Sequence, residues 1–241
     1  MVINARNMDQ EELCRKIRKC SDKLIQIRCC CGQRYLGCGM SGHELIIEGT
    51  PGNALGAYLD GGTIRVEGNA QDAVGDTMNN GSIFINGSAG DALGYAMRGG
   101  SLFVRGNAGY RAGVHMKAYG NESSTLVIGG MAGSFLGEYQ AGGRIIVLGI
   151  GCDPEKPLAG YFCGNGMYSG RIYMRTDIKP RNLSPKLRWR KAEKEDMDDI
   201  EDALKAFADA FSFDSGNLIH SSFMVIEPNK DDAYRQQYAA I

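Results

Sequence analysis

The chain has 241 residues, of which 43% are hydrophobic and 23% are charged, with a formal net charge of −1 and a pI near 6.3. This composition predicts a globular protein with a sizeable core and excludes an extensively disordered one. A near-neutral charge argues against a nucleic-acid partner, and no apolar run approaches the ~20 residues of a membrane span. The N-terminus has no secretory apolar region and the eight cysteines fit a reducing compartment, so we expect a cytoplasmic protein with free thiols.

The first predicted element is a helix over residues 9–20, "DQEELCRKIRKC", within an N-terminal cap segment, residues 1–23. Leu13 and Ile17 lie four residues apart, so they share one face of this helix. Exposed strand edges invite aggregation, and we expect this helix to cover the end of the structure that follows.

Residues 24–179 repeat a glycine-punctuated block. The spacing G-x-x-x-x-x-x-G recurs in steps of 19 residues and then in longer steps, across the insertions "KAYGNESST" and "GIGCDPEKP". Such periodicity is typical of an architecture in which each repeat buries its apolar side against its neighbours. The glycines to which we assign a structural role in the repeats are Gly37, Gly49, Gly56, Gly68, Gly75, Gly87, Gly94, Gly106, Gly113, Gly130, Gly137 and Gly164.

Each repeat contains one predicted strand. Two apolar positions two residues apart, such as Ile64 and Val66, recur in every block and would share one strand face. A further column, which includes Met78, Met97 and Met116, supplies a second apolar side. Eight such strands, from "QIRC" to "IYMR", delimit about seven coils of a predicted solenoid.

Residues 180–241 follow as a predicted linker, helix and tail. The linker "IKPRNLSPKLRWRK" is basic and contains two prolines. Apolar residues at helical spacing then predict a C-terminal cap helix; they are Met197, Ile200, Leu204, Phe207 and Phe211. The final segment gives little signal of its own.

Few residues of the chain suggest a reactive site. No Gly-Lys-Ser/Thr follows the glycine blocks, which disfavours a phosphate-binding loop. Cys29, Cys30 and Cys31 would alternate between the two faces of a strand, so they are not expected to converge on a metal. The three histidines are scattered, and we expect His115 to lie at a surface or an interface.

One pair of carboxylates leaves an enzymatic alternative open. Asp72 and Asp91 occupy the same position in successive repeats, close to Asp76. Paired carboxylates at this spacing suit the acid–base chemistry of a stand-alone carbohydrate-active β-helix enzyme. The same column holds Asn53 and Tyr110 in other repeats, which argues against that alternative.

The repeat blocks strongly resemble a known domain. "GNAQDAVGDTMNNG", "GDALGYAMRGG", "GNAGYRAGVHMKAYG" and "GSFLGEYQAGGRIIVLG" are similar to the C-terminal G-x-G-x-G domain of the glutamate synthase large subunit, in the form encoded as a separate chain. A weaker resemblance is to the formylmethanofuran dehydrogenase chain that shares the coil motif. The glutamate synthase resemblance implies an all-β fold, a right-handed parallel β-helix solenoid of about seven coils with N- and C-terminal helical caps.

The same resemblance implies a structural or assembly role rather than a catalytic one. We therefore expect no catalytic, cofactor-binding or metal-binding residue in this chain. The expected partners are a glutamine amidotransferase subunit and a flavin-binding synthase subunit, which would carry FMN and an iron–sulfur cluster and make glutamate from glutamine and 2-oxoglutarate. The sequence leaves open an N-methylglutamate product and a homo-oligomer.

Irregular segments are the predicted places of contact with partners, because insertions in a repeat protein are displaced outward as loops. Trp and Arg are enriched at interface centres. The candidate interface residues are Lys117, Tyr119 and Asn121 in the first insertion, and Arg188, Trp189 and Arg190 in the C-terminal segment. The alternative is that the C-terminal segment only caps the last repeat.

Overall fold

A computed structural model describes residues 1–119 and 122–229 of the chain. In chain order its elements are β1 (Val2–Asn4), α1 (Gln10–Lys19), β2 (Leu24–Cys31), β3 (Glu44–Thr50), β4 (Asp60–Val66), β5 (Asn80–Ile85), β6 (Ser101–Val104), β7 (Ala118–Tyr119), β8 (Glu122–Ser123), β9 (Thr125–Ile128), β10 (Ala141–Val147), β11 (Ser169–Met174), β12 (Leu187–Lys191), α2 (Lys194–Phe211), α3 (Ser215–Ile219) and β13 (Met224–Pro228). The predicted tail beyond residue 229 lies outside the described residues.

The strands form one large, mostly parallel sheet with the order β1-β2-β3-β4-β5-β6-β9-β10-β11-β13-β12. Each strand of the repeat region pairs with the equivalent strand of the next repeat, so Ile64 lies opposite Ile83 and Ile83 opposite Leu102. Residues of one sequence column therefore become neighbours along one sheet face. Only β13 and β12 run antiparallel to their neighbours among the strands of this sheet that the structure describes.

Between successive strands, each repeat passes through a turn segment with left-handed residues at alternate positions. In one repeat these are Ala73, Gly75 and Thr77, with φ of 56°, 68° and 53°. The alternation reverses the direction of successive backbone amides. Ala73 N–H donates to the Asp91 carbonyl of the next repeat (2.8 Å), whereas Gly75 N–H donates to the Leu55 carbonyl of the preceding repeat (2.8 Å). These hydrogen bonds tie each turn segment to both neighbours.

The core lies between the inner face of the sheet and the turn segments. The inner-face columns that begin with Leu45 and Ile47 are buried, and so is the methionine column, with Met78, Met97 and Met116 at 0% exposure. A second core covers the outer face of the sheet. There Ile200, Leu204 and Phe207 of α2 pack against strand residues such as Tyr173.

The repeat glycines fulfil two different requirements. Gly75 has a φ of +68°, and a Cβ at this residue would lie 2.7 Å from Cδ1 of Leu102 in the core. Gly68 has no positive φ, but a Cβ there would lie 3.0 Å from the Gly49 carbonyl oxygen. One glycine column therefore permits a left-handed turn, and the other permits close approach of neighbouring backbones.

The prediction of an all-β right-handed parallel β-helix with helical caps is wrong for this chain. The structure is an eleven-stranded, mostly parallel open sheet. The second extended stretch of each repeat makes turns and isolated bridges, such as Ala70 with Ala89 and Ala89 with Ala108, rather than a further sheet. Left-handed residues at alternate positions prevent a continuous strand there, because strands require φ in the β region.

The two ends of the sheet also differ from the predicted helical caps. At the N-terminal end, β1 pairs in parallel with β2, while α1 buries Leu13 and Ile17 against the core. At the C-terminal end, β13 pairs with β11 and the predicted linker contains β12. Helix α2 lies on the outer face of the sheet instead of covering its end, because its apolar stripe matches the apolar outer-face residues.

Candidate functional site

The most unusual surface of the described chain is formed by the turn segments, and we call it the turn face. It consists of the exposed residues within 34–39, 53–58, 72–77, 91–96, 110–115, 134–139 and 161–166. The turn face lies on the far side of the first core from the sheet, since the core is enclosed between the two.

Large aromatic side chains are exposed on the turn face. Tyr58, Tyr95, Tyr110, Tyr139, Tyr161 and Phe162 have 39–58% of their surface accessible. Several aromatic residues also adopt positive φ, including His115 (58°), Phe135 (64°) and Phe162 (59°). Bulky residues rarely adopt this conformation, and such positions cluster at functional sites. The aromatic residues are therefore candidates for a contact function.

The rings form two stacked groups along the turn face. His115 stacks on Tyr139 with 5.2 Å between ring centroids and meets Tyr95 edge-on at 5.8 Å. Phe135 stacks on Phe162 at 5.4 Å. The Arg111 guanidinium lies 5.3 Å from the Phe135 ring centroid. Because each ring is held by rings from adjacent repeats, these side chains form an ordered surface.

The predicted carboxylate pair lies on the turn face and has a structural task. Asp72 Oδ1 accepts a hydrogen bond from the Asp91 backbone N–H (2.9 Å), and Asp91 Oδ1 accepts one from the Tyr110 N–H (2.8 Å). Ser134 Oγ does the same for the Tyr161 N–H (3.0 Å). Polar side chains of different types thus cap the next repeat at one position. This shared task accounts for Asp72 and Asp91 without glycosidase chemistry.

A second polar site joins the C-terminal elements to the sheet. Arg190 of β12 contacts Asp196 of α2 (Nη1–Oδ2, 2.5 Å) and Glu227 of β13 (Nε–Oε1, 2.8 Å). Burial favours a higher pKa for Asp196, but the hydrogen bonds from Arg190 and from the Glu193 N–H outweigh it and lower that pKa. The Arg190 hydrogen bonds likewise lower the pKa of Glu227 against the effect of burial. The carboxylates therefore stay ionised, and the site fixes three elements together.

The neighbouring Tyr173 and Asp199 extend this polar site. The Tyr173 hydroxyl donates to Asp199 Oδ2 (2.7 Å), and Arg144 donates to the Asp199 carbonyl and contacts its Oδ1 (3.2 Å). Burial, followed by the hydrogen bond to Asp199, raises the pKa of Tyr173 above its ordinary value. A phenol with a raised pKa stays protonated, so this group serves as a hydrogen-bond donor rather than as a base.

The predicted interface residues of the C-terminal segment are not equivalent. Arg190 is held by the internal ion pairs, and Trp189 is partly buried against the first core. Arg188 is exposed. In the first insertion, Lys117 is exposed and its backbone bridges Ala141. Tyr119 contributes backbone to the two-stranded sheet β7-β8, and Asn121 lies outside the described residues.

The cysteines do not fit a cluster or flavin ligand set. Cys30 is buried whereas Cys29 and Cys31 are exposed, so neighbouring thiols diverge. Burial raises the pKa of Cys30 to about 11 and that of Cys163 to about 12, and both remain protonated thiols. Within residues 1–119 and 122–229, no three His, Cys, Asp or Glu side chains are grouped so as to hold a metal ion. Thus the described cysteines offer no converging thiolates for an iron–sulfur cluster.

The other histidines are also engaged locally. His43 Nδ1 lies 3.0 Å from the Asp22 carbonyl oxygen, and His220 ends helix α3. His115 is part of the aromatic stack of the turn face. The repeat pattern predicted a surface position for His115, but the ordered aromatic surface around it was missed. The recurrence of aromatic residues at two turn positions, such as Tyr58 and Tyr139, was the signal for it.

In-register glycine repeats and an ordered, exposed aromatic face define a repeat protein whose surface is suited to contact with another protein. Residues 24–229 match the family model described as GXGXG motif. The chain belongs to this family, which is that of the C-terminal domain of the glutamate synthase large subunit.

Two further similarities extend beyond the motif. The chain is 41% identical to Uncharacterized protein MJ1350 of Methanocaldococcus jannaschii, over 95% of this chain and 92% of that protein. It also resembles a chain of the formyltransferase/hydrolase complex (FhcABCD) from Methylorubrum extorquens in complex with methylofuran, with a TM-score of 0.65 and 19% identity. That likeness covers 93% of this chain and 89% of the other, and it is one of fold.

The helices give no indication of a membrane protein. Across the ranges that the structure describes, none of them is both long and apolar enough to cross a bilayer.

Proposed function

We propose that this chain is a non-catalytic assembly subunit of a larger enzyme complex. The observation that carries the proposal is that the reactive side chains of the described residues already have structural tasks. Asp72 and Asp91 cap neighbouring repeats, and Asp196 and Glu227 neutralise Arg190. A catalytic site needs groups that converge on an accessible space with suitable pKa values. The extended surface of stacked repeats suits contact with other chains instead.

One candidate complex carries out formyl-group chemistry. Support comes from the similarity in fold, over most of both chains, to a chain of the formyltransferase/hydrolase complex from Methylorubrum extorquens. On this proposal the chain is a scaffold like the formylmethanofuran dehydrogenase chain that shares the coil motif, and it contributes surface rather than reacting groups. Fold similarity alone is compatible with different reactions, so the partners have to be identified directly.

The second candidate is a glutamate synthase-type complex. Membership of the GXGXG motif family over residues 24–229 supports it. On this proposal the partners are a glutamine amidotransferase chain and a flavin-binding synthase chain, and FMN and the iron–sulfur cluster belong to the latter. The product would be glutamate or N-methylglutamate, as determined by the flavin-binding chain.

Purification of the tagged chain from its native cells tests both candidates. We expect stoichiometric partners: either an amidotransferase and a flavin–iron–sulfur chain, or formyltransferase and hydrolase chains. Mass spectrometry identifies them, and the neighbouring open reading frames provide an independent assignment. A chain that elutes alone from native extract, at its own mass, would contradict an assembly role.

Two exposed residues allow the predicted interface to be tested in the same experiment. Lys117→Glu and Arg188→Glu each reverse a charge that the structure leaves at the surface. Lys156→Glu is the matched control, because Lys156 is also exposed but lies in the other insertion, beside Asp153. We expect the first two variants to recover less partner than the control does. Equal recovery would remove both residues from the interface.

A further inference from the structure

The turn face changes in character along the direction in which the repeats stack. Its earlier repeats carry exposed carboxylates at Asp72 and Asp91, whereas the next repeats carry exposed Tyr110 and Arg111. Asp72, Asp91 and Tyr110 belong to one column, since each is joined to the next by a capping hydrogen bond. The face is therefore acidic at one end and aromatic with arginine at the other.

The aromatic rings present their edges rather than their faces to solvent. In the His115–Tyr139 and Phe135–Phe162 pairs the planes are nearly parallel, at 14° and 20°, and each ring covers its neighbour. Sugar rings bind against open aromatic faces, which this stacking conceals. Edges of ordered rings with a guanidinium beside them are instead typical of the centre of a protein interface, where Tyr and Arg are enriched.

The charge gradient makes the turn face complementary to itself. A two-fold axis perpendicular to the face reverses the order of the repeats in a second copy, and an axis lying in the face can do the same while bringing the two faces into contact. With the in-plane axis perpendicular to the stacking direction and between the repeats of Asp91 and Arg111, the Asp91 carboxylate of each copy meets the Arg111 guanidinium of the other. The same operation brings Tyr95 of each copy opposite His115 of the other. Such an interface is isologous, as in most homodimers.

The side chains required for this pairing are accessible. The Arg111 side chain is 62% exposed, and its contact with Glu138 is long at 3.9 Å. Asp91 is exposed, and only its Oδ1 caps the next repeat. Its Oδ2 has no partner in the described hydrogen bonds, so it can accept from a guanidinium.

We infer that the turn face is the interface of a homodimer, in which two copies of this chain dock face to face and antiparallel. Asp91 and Arg111 pair across the two-fold axis, and the stacked aromatic residues form the centre of the contact. This inference is independent of the proposed function, because it concerns the purified chain without any partner.

Sedimentation equilibrium of the full chain over a range of concentrations tests the inference. We expect a monomer–dimer equilibrium for the wild type. Arg111→Glu should raise the dimer dissociation constant by about 100-fold, because the two-fold axis places like charges in contact twice. Arg28→Glu is the matched control. Arg28 is 56% exposed and lies 3.6 Å from Glu48, but it belongs to β2 rather than to the turn face.

A second substitution restores the complementarity. Asp91→Lys combined with Arg111→Glu exchanges the two charges, and this double variant should dimerise more tightly than Arg111→Glu alone. Because Asp91→Lys removes a backbone cap, Asp91→Asn combined with Arg111→Glu is the conservative version; it keeps the amide oxygen as acceptor and removes one of the like charges. Circular dichroism and thermal melting verify that each variant is folded.

The inference is overturned by three outcomes. The wild type could remain a monomer throughout, or its dimer could be unaffected by Arg111→Glu. Alternatively, Arg28→Glu could weaken the dimer as much as Arg111→Glu does, which would assign the interface to another surface. Recovery by either double variant supports direct pairing of Asp91 with Arg111, and no recovery in both contradicts it.

Discussion

Replacing Met97 with alanine tests the first core. Met97 lies at 0% exposure in the methionine column, between Met78 and Met116 of the adjacent repeats. Its backbone carbonyl accepts a hydrogen bond from Lys117 N–H (2.9 Å), and this bond does not involve the side chain. Met97→Ala therefore removes side-chain contacts while leaving the hydrogen bonds between repeats in place.

The expected cost follows from this burial. Full burial of a methionine side chain contributes about 1.5–3 kcal/mol. The cavity that remains adds to this, so the free energy of unfolding should fall by about 2–5 kcal/mol. A loss of about 3 kcal/mol corresponds to a fall in melting temperature of about 6–12 °C for a chain of this size. The measurement is thermal melting followed by circular dichroism, together with urea unfolding.

Met131→Ala provides the control, because Met131 has the same side chain at 37% exposure. We expect its melting temperature to stay within about 2 °C of the wild type, as for most surface substitutions. If Met97→Ala and Met131→Ala lower the melting temperature by the same small amount, the methionine column does not form a packed core and the description of this core is wrong.

Three further predictions concern the C-terminal elements and a repeat glycine. Arg190→Met should destabilise the chain by about 3–5 kcal/mol at neutral pH, since it leaves Asp196 and Glu227 unpaired. Because both carboxyls have lowered pKa values, they stabilise the wild type above pH ~4 and lose that contribution as the pH falls through their folded-state pKa values; urea unfolding should therefore show a smaller difference between variant and wild type at low pH. A chain ending at Pro180 lacks β12, α2 and β13, and we expect aggregation or loss of cooperative melting in circular dichroism, whereas a cooperative monomer would contradict the second core. Gly75→Ala should lower stability to urea by about 1–3 kcal/mol, mainly through its contact with Leu102, and an unchanged unfolding midpoint would contradict that contact.

The sequence was sufficient to locate the repeats and their strands. Period-two apolar columns such as Leu45 and Ile47 lie on the inner face of the sheet, and the methionine column is buried. These features depend on local spacing, which a single chain displays directly. They were predictable because every repeat restates the same pattern.

The turn segments could not be predicted in the same way. Propensity assigns positive φ to glycine and asparagine, but here Ala73, Thr77 and His115 adopt it as well. Their conformation is imposed by hydrogen bonds to both neighbouring repeats rather than by the residue type. Without this information, the second stretch of each repeat was interpreted as extended, and the fold was assigned to the wrong class.

The C-terminal segment illustrates a second limit. Strands β12 and β13 are separated by two helices, yet Trp189 pairs with Ile226. Pairing over such a distance along the chain leaves no local pattern, and the basic, proline-containing sequence before β12 indicated a linker. The role of Arg190 was missed for the same reason, since its partners Asp196 and Glu227 come from other elements.

The central claim is that this chain supplies structure and no chemistry to its complex. The most direct test is to reconstitute the native complex with a chain in which Cys29→Ser, Cys31→Ser, His43→Gln and Asp72→Asn are combined. These changes remove solvent-accessible reactive groups and keep the Asp72 cap as an amide. We predict a turnover number equal to that with the unmodified chain at equal complex occupancy, which native mass spectrometry measures. A large fall in turnover in a fully assembled complex would contradict the claim.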